Sequence, residues 1–532
     1  MNILGINCFA HDTAGALVQD GRVVAFVEEE RFNRDKHTKA FPDQAVAYCL
    51  AEGGIGMGDV DLLAFAHRAG ADFRRGAWDA LKRAAPKRLA AQTYVDLGLI
   101  RKQRAFVRRH GYRGAVLNVG HHAAHAASAY FASPFEDAAV LTLDRGGDFL
   151  STTLGQGRGR RLRTLGEVRN PDSLGEVYTA LTQYLGFHPN ADEGKVMGLA
   201  PYGRDRYVPR FRDLLTLTGD GRFRVNLSWF AYQREGRVPW GRRFEERYGP
   251  PRVPESDLTE HHEDLAYALQ AITEEAGLHV ARALHTATGS PNLVLAGGVA
   301  LNSVMNARLL HETLGRERSY EMRHAFLGPA YGEHEHKEVL AARKLPFREV
   351  ADPEAEAARL LSDGKIVGWF QGRAEVGPRA LGARSILADP RRPEMKDIVN
   401  AQVKHREGFR PFAPAVLDER GAEYFEGYAT NPFMLLVLPI RPEKRDVIPA
   451  VTHVDGTGRL QSVEREGNPS FHRLIEEFDR LTGVPVVLNT SFNLRGEPIV
   501  HRPEEALADY LNTGMDALLL GPYLLEKAPP DR

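Results

Sequence analysis

Six positively charged residues in one segment, interspersed with glycine and proline, could do chemistry. They lie in GKIVGWFQGRAEVGPRALGARSILADPRRPEMKDIVNAQVKHREGFRPF, residues 364–412. Guanidinium groups fork onto phosphate oxygens, and glycine lets backbone N–H groups approach the same oxygens. The pattern predicts a pocket for a polyphosphate or an acyl phosphate; the alternative is a surface patch without a ligand. The six cations are Arg373, Arg379, Arg384, Lys404, Arg406 and Arg410.

Two later segments add polar groups suited to an anionic ligand. HVDGTGRLQSV (453–463) contributes Arg459, and VPVVLNTSFN (484–493) ends a predicted strand in Asn489, Thr490, Ser491 and Asn493. Hydroxyl and amide groups at a strand end can orient an anion, although they also serve as turn caps. The chain has no GxxxxGK[ST] loop, no GxGxxG and no GxSxG, which argues against P-loop binding, Rossmann binding and a serine hydrolase.

A second kind of chemistry is indicated by HHAAH at residues 121–125. His121 and His125 are four residues apart, so on a helix their rings share one face. Asp144 follows the next predicted strand and would complete two imidazoles and a carboxylate, a set suited to Fe, Zn or Mn. The alternative is a packed helix end. No glutamate follows the first histidine in an HExxH pattern, so the segment is no zincin motif.

The elements that must position these groups follow an α/β pattern with a repeat. Short apolar runs and tight turns predict strands at residues 3–8, 14–18 and 23–28, and the same order returns at 138–143, 149–155 and 162–168. A polar pair follows the first strand of each copy, His11 with Asp12 and Asp144 with Arg145. Such a duplication is typical of actin-like, sugar-kinase-type folds, an analogy of fold only; two unrelated hairpins are the alternative.

The remainder of the pattern predicts two domains. Residues 72–110 are rich in Arg and Lys at helical spacing, which indicates the solvated face of amphipathic helices more than a basic groove. A helix is predicted over 256–289, and PNLVLAGGVALN (291–302) predicts a strand, a Gly-Gly turn and a helix. A new α/β pattern begins at Asp352, with a helix at 354–362 and strands at 365–371, 433–438 and 484–489. We therefore predict domains at 1–348 and 349–532.

Composition limits the partners and the compartment. The 532 residues contain 69 Lys plus Arg against 70 Asp plus Glu, so net charge gives no reason to expect nucleic acid or an anionic membrane. Cys8 and Cys49 are too few for a disulfide framework, and the first residues show no basic region before an apolar run. No stretch approaches the roughly 20 apolar residues of a membrane-spanning helix. We predict a cytoplasmic protein.

The chain resembles the nodulation-protein and antibiotic O-carbamoyltransferase family, which includes tobramycin carbamoyltransferase. The motifs that carry the resemblance span nearly the whole length and stand in the family's order. They are AHDTAGALVQDGRVVAFVEEERFNRDKH, HHAAHAASAYFASPF, DEGKVMGLAPYG, LAGGVALNSVMNARL, GRAEVGPRALGARSILADPR, KHREGFRPFAPAV, HVDGTGRLQSV and NTSFNLRGEPIV.

The resemblance implies an actin-like (ribonuclease H-like, duplicated) N-terminal domain and a YrdC-like α/β C-terminal domain. In the family the YrdC-like domain combines ATP with carbamoyl phosphate to give carbamoyl adenylate, and the actin-like domain transfers the carbamoyl group to a hydroxyl or amine. The implied partners are carbamoyl phosphate, ATP with Mg²⁺ and a small-molecule natural product as acceptor. The oligomeric state is left open, with a homodimer as one option.

The resemblance also implies roles for individual residues. His11 corresponds to the base that activates the acceptor, Lys36 to a cation that binds the intermediate, and Gly297-Gly298 to a turn that contacts nucleotide. The carbamoyl phosphate and ATP pocket corresponds to Arg379, Lys404, Arg410, Arg459, Asn489 and Ser491, with Met434 beside the nucleotide.

His121, His125 and Asp144 correspond to three ligands of the family's iron site, for Fe²⁺ or another divalent metal. Here the chain departs from the family pattern. Relatives carry a PxxxDxG-type segment with a fourth ligand after the GGVALN helix, whereas this chain runs from NARLLHETLGRERSYEMRH directly to FLGPAYG. Asp148, Glu333 and His334 are the candidates to replace that aspartate, and solvent is another option.

Two other functions are weighed against carbamoyl transfer. A tRNA threonylcarbamoyl transferase uses related domains, but near-neutral charge and the GRAEVGPRALG motif argue against it. A nucleotide-binding regulatory or scaffold protein with impaired transfer would follow from loss of the fourth-ligand segment. The acceptor cannot be read from the sequence; residues 69–110 and 225–260 are the candidate loops that select it.

Overall fold

The computed structural model describes residues 1–8, 11–68, 86–232, 238–309 and 324–527, with only the backbone described for 86–96 and 307–309. The predicted α/β class is confirmed over these residues. Their strands are β1 Asn2–Asn7, β2 Ala14–Gln19, β3 Arg22–Glu28, β4 Leu62–Phe65, β5 Ala115–Asn118, β6 Asp137–Gly147, β7 Leu150–Arg158, β8 Arg161–Arg169, β9 Leu215–Leu217, β10 Phe223–Val225, β11 Leu293–Ala296, β12 Arg348–Glu349, β13 Val367–Phe370, β14 Arg384–Ala388, β15 Ala413–Leu417, β16 Leu436–Pro439, β17 Thr457–Val463, β18 Val486–Ser491, β19 Ala517–Leu520 and β20 Tyr523–Glu526.

Helices alternate with these strands, as the pattern of apolar residues predicts. They are α1 Glu30–Asn33, α2 Asp43–Glu52, α3 Pro86–Arg109, α4 His121–Tyr130, α5 Leu174–Tyr184, α6 Glu193–Leu199, α7 Val208–Phe211, α8 Arg242–Tyr248, α9 Glu260–Thr288, α10 Ser303–Leu309, α11 Glu333–Ala342, α12 Pro353–Ser362, α13 Met395–Ile398, α14 Gly421–Tyr424, α15 Pro442–Arg445, α16 Pro469–Thr482 and α17 Pro503–Leu511. A π-helical turn, Val399–Lys404, continues α13. Among the described residues, no helix is both long enough and apolar enough to cross a membrane.

The chain forms two compact units, and the first of them combines two segments that are distant in the sequence. Unit 1 comprises Met1–Asp61 together with Glu317–Arg532, and unit 2 comprises Leu62–Arg316. The predicted division at 348/349 stays a prediction. The duplicated strand pattern gives one three-stranded antiparallel meander in each unit, β1–β2–β3 in unit 1 and β6–β7–β8 in unit 2.

Unit 1 is dominated by a nine-stranded sheet with the order β12-β20-β19-β13-β14-β18-β15-β17-β16. Helix α16 covers it with the buried residues Phe471, Leu474, Ile475 and Phe478, which recur at helical spacing. Asn468 caps its first turn by accepting a hydrogen bond from the backbone N–H of Phe471, a preferred role of Asn. The helix contacts the central strands β15 and β18, and β18 ends in Asn489, Thr490 and Ser491.

Unit 2 places a four-stranded sheet, β11-β6-β7-β8, against the long helix α9. Strand β11 pairs with β6 in parallel, which brings the Gly297-Gly298 turn next to the end of β6. The described basic residues of α3 after Leu99 are exposed while Phe106 is buried, so the predicted solvated face is confirmed there; residues 69–85 lie outside the described part of the chain.

Candidate active site

The predicted cationic pocket assembles in unit 1 around the ends of β14, β17 and β18. Arg379 lies in the loop before β14, Lys404 ends the π-helical turn, and Arg459 lies on β17. A π-helical turn is a rare element that is frequent at functional sites. Three elements that are distant in the sequence thus bring their cations to one end of the same sheet.

The loop that carries Arg379 is fixed by buried polar contacts. Glu375 Oε1 accepts hydrogen bonds from the backbone N–H groups of Leu381, at 2.7 Å, and Arg384, at 3.2 Å. At the other end of the loop, the Gly377 N–H donates to Glu28 at 2.6 Å, and Arg31 donates to the Gly377 carbonyl at 2.6 Å. The N-terminal meander therefore holds the predicted phosphate-binding loop in place.

Lys404 is buried and held by the strand-end cluster. Its Nζ lies 2.8 Å from the carbonyl oxygens of Ser491 and Asn493, and 2.6 Å from Asn493 Oδ1. Burial, followed by the neighbouring charges of Arg406 and Arg410, holds the pKa of Lys404 well below its usual value. An anion placed here would relieve that repulsion.

The arginines of the pocket repel one another in the same way. Burial and the charge of Arg410 lower the pKa of Arg379 to about 10, and burial followed by Arg379, Arg406 and Arg410 lowers that of Arg459 far below its usual value. Among the described residues, the Nε atoms of Arg379 and Arg459 are buried without a hydrogen-bond partner. Buried donors normally find an acceptor, so both N–H groups are available to an anionic ligand.

The other predicted pocket residues lie around these cations. Asn489 is buried; its side-chain nitrogen donates to the Ala380 carbonyl at 3.2 Å and to Gln461 at 2.8 Å, and its Oδ1 has no partner among the described residues. Met434 is buried against Leu381 in a small apolar cluster. The sequence did not identify Gln461 and Glu375 as residues of the pocket, because nothing distinguished their polar side chains from those of neighbouring residues.

Two cations of the motif do not face this pocket. Arg384 is fully buried, stacks on Phe370 at 3.7 Å and donates to backbone carbonyls, among them that of Gln371. Arg373 forms an ion pair with Glu52 at 2.9 Å and donates to the carbonyl of Leu327. The structure therefore assigns both arginines to holding the backbone.

His11 and Lys36 also belong to unit 1. His11 Nδ1 lies 2.6 Å from Asp12 Oδ2, and Asp12 Oδ1 lies 2.8 Å from His37 Nδ1. Lys36 is exposed and close enough to Lys404 that its charge contributes to lowering the pKa of Lys404. His37 was missed in the sequence, where it is separated from Asp12 by 25 positions and stands in no recognised motif.

In unit 2, the predicted histidine–aspartate cluster forms at the start of α4. His121 Nε2 lies 2.6 Å from Asp144 Oδ2, His125 Nε2 lies 3.4 Å from the same oxygen, and the two Nε2 atoms are 3.1 Å apart. Burial raises the pKa of Asp144, but the hydrogen bonds of His121 and His125 outweigh it and hold the pKa well below the usual value. Three ligand atoms that converge on one point fit a divalent metal.

Backbone groups hold the Asp144 carboxylate in this position. Its Oδ1 accepts hydrogen bonds from the N–H of Arg145 at 2.8 Å and of Gly298 at 3.2 Å, which leaves Oδ2 to the histidines. Gly297 has φ +98°, and a Cβ there would lie 2.3 Å from the carbonyl oxygen of Leu143, so glycine is required for this approach. The Gly-Gly turn thus supports the candidate metal site.

Among the candidates for a fourth metal ligand, Asp148 belongs to the same unit as this cluster and has other partners. Asp148 Oδ2 accepts the backbone N–H of His121 at 2.6 Å, and Oδ1 lies 3.2 Å from His67 Nδ1, so this carboxylate caps α4. Glu333 and His334 lie exposed on α11 of unit 1. Residues 310–323, where the departure from the family pattern lies, are outside the described residues.

A cavity of about 250 Å³ lies beside the cluster in unit 2. Its wall combines His121 with charged and apolar groups, so it has room for a small polar ligand. The charged residues among its lining are Arg68, Asp148, Arg163 and Glu167.

The family models for the carbamoyltransferase N-terminus and C-terminus match residues 2–318 and 358–527. The chain belongs to the carbamoyltransferase family.

Individual relatives extend over most of the chain. Nodulation protein NolNO of Sinorhizobium fredii is 38% identical over 98% of this chain and 80% of its own length. The uncharacterized protein sll1178 of Synechocystis is 38% identical over 100% of this chain and 98% of its own. That alignment spans 604 positions, more than this chain's length, so the relative carries residues without a counterpart here.

Among solved structures, a ROK hexokinase from Thermus thermophilus matches 59% of this chain and 89% of its own at 18% identity, with a TM-score of 0.28.

Proposed function

We propose that this carbamoyltransferase uses ATP and carbamoyl phosphate to make carbamoyl adenylate in the cationic pocket of unit 1. The observation that supports it is the pair of buried, unpartnered Nε atoms of Arg379 and Arg459 beside the buried ammonium of Lys404. Fixed cations that already repel each other gain most from a ligand that brings several negative charges. Both proposed substrates do so.

The proposed first half-reaction balances with one water molecule. Water cleaves carbamoyl phosphate to carbamate and phosphate, and a carbamate oxygen then attacks the α-phosphorus of ATP and expels pyrophosphate. Two anions must approach each other, and Arg379, Lys404 and Arg459 would offset their charge as it builds at phosphorus. Mg²⁺ would accompany ATP, and the buried Met434 would lie against the base.

In the second half-reaction, a hydroxyl or amine of a small-molecule natural product would attack the carbamoyl carbon, and AMP would leave. His11 would take the proton of the attacking group, because an imidazole can accept a proton near neutral pH. Lys36 would offset the charge of the adenylate phosphate. His121, His125 and Asp144 would hold Fe²⁺ or another divalent metal, which would supply positive charge to a phosphate oxygen when bound.

Pyrophosphate release tests the first half-reaction. We expect release from the full-length protein only when ATP and carbamoyl phosphate are both present. Lys404→Ala and Arg379→Ala should each lower it by at least about 100-fold, since each removes a fixed charge from the reacting phosphates. Lys337→Ala, which removes an exposed lysine on α11, is the control. Circular dichroism and the melting temperature should show folded variants; undiminished release from both pocket variants would refute the assignment.

The second half-reaction is tested by trapping and by transfer. Hydroxylamine attacks activated carbonyls without a general base and should trap the carbamoyl group as hydroxyurea, in excess of the amount that forms from carbamoyl phosphate when ATP or the protein is left out. Carbamoylation of a panel of amino sugars, oligosaccharides and macrolides, read by mass spectrometry, would identify the acceptor. His11→Asn should stop carbamoylation of that acceptor. Hydroxyurea without any carbamoylated acceptor would favour a chain impaired in transfer, as loss of the fourth-ligand segment suggests.

A further inference from the structure

In unit 1, the carboxylate of Asp12 lies between the imidazoles of His11 and His37. The proposed reaction uses only His11. Asp12 Oδ2 is 2.6 Å from His11 Nδ1, and Asp12 Oδ1 is 2.8 Å from His37 Nδ1. The two rings are 6.3 Å apart at their centroids and nearly perpendicular, at 84°. Each histidine therefore has its own oxygen of the shared carboxylate.

The backbone is specially shaped to bring the three groups together. Asp12 and His37 both have left-handed conformations, with φ of +54° and +57°, which few residues other than glycine adopt but which Asp and His adopt more often than most. Asn7 donates a side-chain hydrogen bond to the Asp12 carbonyl at 2.9 Å, and the His37 N–H donates to Glu30 Oε2 at 2.7 Å. Unfavourable conformations that are pinned by neighbours in this way are frequent at functional sites.

The geometry differs from that of the histidine–aspartate cluster in unit 2. In both clusters the candidate ligand atoms lie within 4.8 Å of one another, so distance alone would allow a metal at either. His121 and His125, however, contact a single oxygen of Asp144, whereas His11 and His37 contact opposite oxygens of Asp12. The second arrangement suits two N–H donors and one bridging acceptor.

We propose that Asp12 and His37 are positioning residues that make His11 the base of the transfer step. Asp12 Oδ2 accepts the Nδ1–H of His11, which fixes the tautomer with a free lone pair on Nε2. His37 donates to Oδ1 and so holds the carboxylate in the rotamer that faces His11. This inference rests on the proposed function, in which His11 activates the acceptor.

In the resulting step, the acceptor oxygen forms a bond to the carbamoyl carbon, and its proton moves to His11 Nε2. The bond from that carbon to the adenylate oxygen breaks, and AMP leaves with the electron pair. Asp12 stabilises the imidazolium and does not itself take the proton. His11 then returns the proton to solvent.

Exposure and charge divide the roles of the two histidines. The side chain of His11 is 40% exposed and can meet an acceptor, whereas His37 Nε2 is buried without a hydrogen-bond partner among the described residues. Burial raises the pKa of Asp12, but the hydrogen bonds of both histidines outweigh it and keep the pKa far below its usual value. Asp12 and then Glu30 raise the pKa of His37, while burial and Lys36 lower it, with a net increase.

Nuclear magnetic resonance of the full-length protein with ¹⁵N-labelled histidine tests the proposal directly. His11→Asn and His37→Gln identify the two signals, and ¹⁵N shifts report the tautomer and the pKa of each ring. We expect His11 in the Nδ1–H tautomer in the wild type and in Asp35→Asn, a control that alters a neighbouring exposed carboxylate. Asp12→Asn should mix the His11 tautomers and lower the His37 pKa by at least about one unit, because the anionic partner is lost.

Two outcomes would overturn the proposal. The first is a His11 tautomer and a His37 pKa that both stay unchanged in Asp12→Asn. The second is a shift of both histidine signals by one equivalent of ZnCl₂ that disappears in Asp12→Asn, which would make the cluster a metal site. Asparagine tolerates the left-handed conformation, so the variant should fold. Absence of hydroxyurea from the wild type would refute the proposed function and leave this spectroscopic test valid.

Discussion

Two clusters in this protein contain the same residue types, two histidines and one aspartate, and differ in how the atoms meet. In unit 2, the Nε2 atoms of His121 and His125 share Oδ2 of Asp144. In unit 1, the Nδ1 atoms of His11 and His37 contact opposite oxygens of Asp12. The distances in both clusters would admit a metal, but one shared oxygen suits a cation and two separate oxygens suit two N–H donors. Residue composition alone cannot distinguish these two uses.

The support around each carboxylate explains the difference. The backbone N–H groups of Arg145 and Gly298 bind Oδ1 of Asp144, so only Oδ2 is left for the histidines. Among the described residues, no backbone N–H group donates to the Asp12 carboxylate, and each of its oxygens contacts one histidine. The backbone around each aspartate therefore determines whether the two histidines contact the same carboxylate oxygen or opposite oxygens.

Loss of the Asp144 carboxylate should have the largest effect. We expect Asp144→Ala to reduce the bound divalent metal from about one equivalent to almost none, because two imidazoles alone form an incomplete site. Metal content is measured by mass spectrometry after purification and reconstitution with Fe²⁺ or Zn²⁺. Asp12→Ala is the matched comparison and should retain its metal; equal loss from both variants would abolish the distinction between the clusters.

Removal of the carboxylate that caps α4 should have an intermediate effect. Asp148 binds the backbone N–H of His121, so Asp148→Ala should loosen the orientation of that ligand. We expect a 10- to 100-fold loss of metal affinity, about 1.4–2.7 kcal/mol, as is typical of residues that orient metal ligands. Competition with a fluorescent chelator measures it. Asp205→Ala removes an exposed carboxylate of the same unit and should leave the affinity unchanged.

The smallest effect should be a dependence of stability on pH that comes from His37. Its pKa is raised in the folded protein, first by the hydrogen bond to Asp12. The resulting stabilisation is complete below the unfolded pKa of about 6.5 and is lost as the pH rises through the raised value. Because His37 is 35% exposed, we expect less than about 1 kcal/mol.

Urea unfolding at several pH values between about 5 and 9 tests this. The difference in unfolding free energy between the wild type and Asp12→Asn should shrink as the pH increases over that range. A difference that grows with pH would have the wrong sign and would show that His37 is not protonated on Asp12.

The sequence by itself determined the elements and many of the reactive groups. The spacing of HHAAH placed His121 and His125 on one helical face, and the alternating apolar runs gave the first meander within one residue. In the second meander, β6 and β7 extend to Gly147 and Arg158, beyond the predicted ends at 143 and 155. These features depend on local periodicity, which is written in neighbouring residues. The cationic motifs also gave Arg379 and Lys404 (364–412) and Arg459 (453–463), which the structure brings to one end of a sheet.

Only the tertiary structure decided which of these groups face a ligand and which partners they have. Arg373 and Arg384 carry the same charge as Arg379, yet their guanidinium groups contact backbone carbonyls. His37 reaches Asp12 through two left-handed residues, and Gly298 reaches Asp144 across 154 positions. Such contacts depend on how distant strands and loops pack, and a side chain's direction follows from that packing. The chemical type of a residue therefore came from the sequence, and its role from the fold.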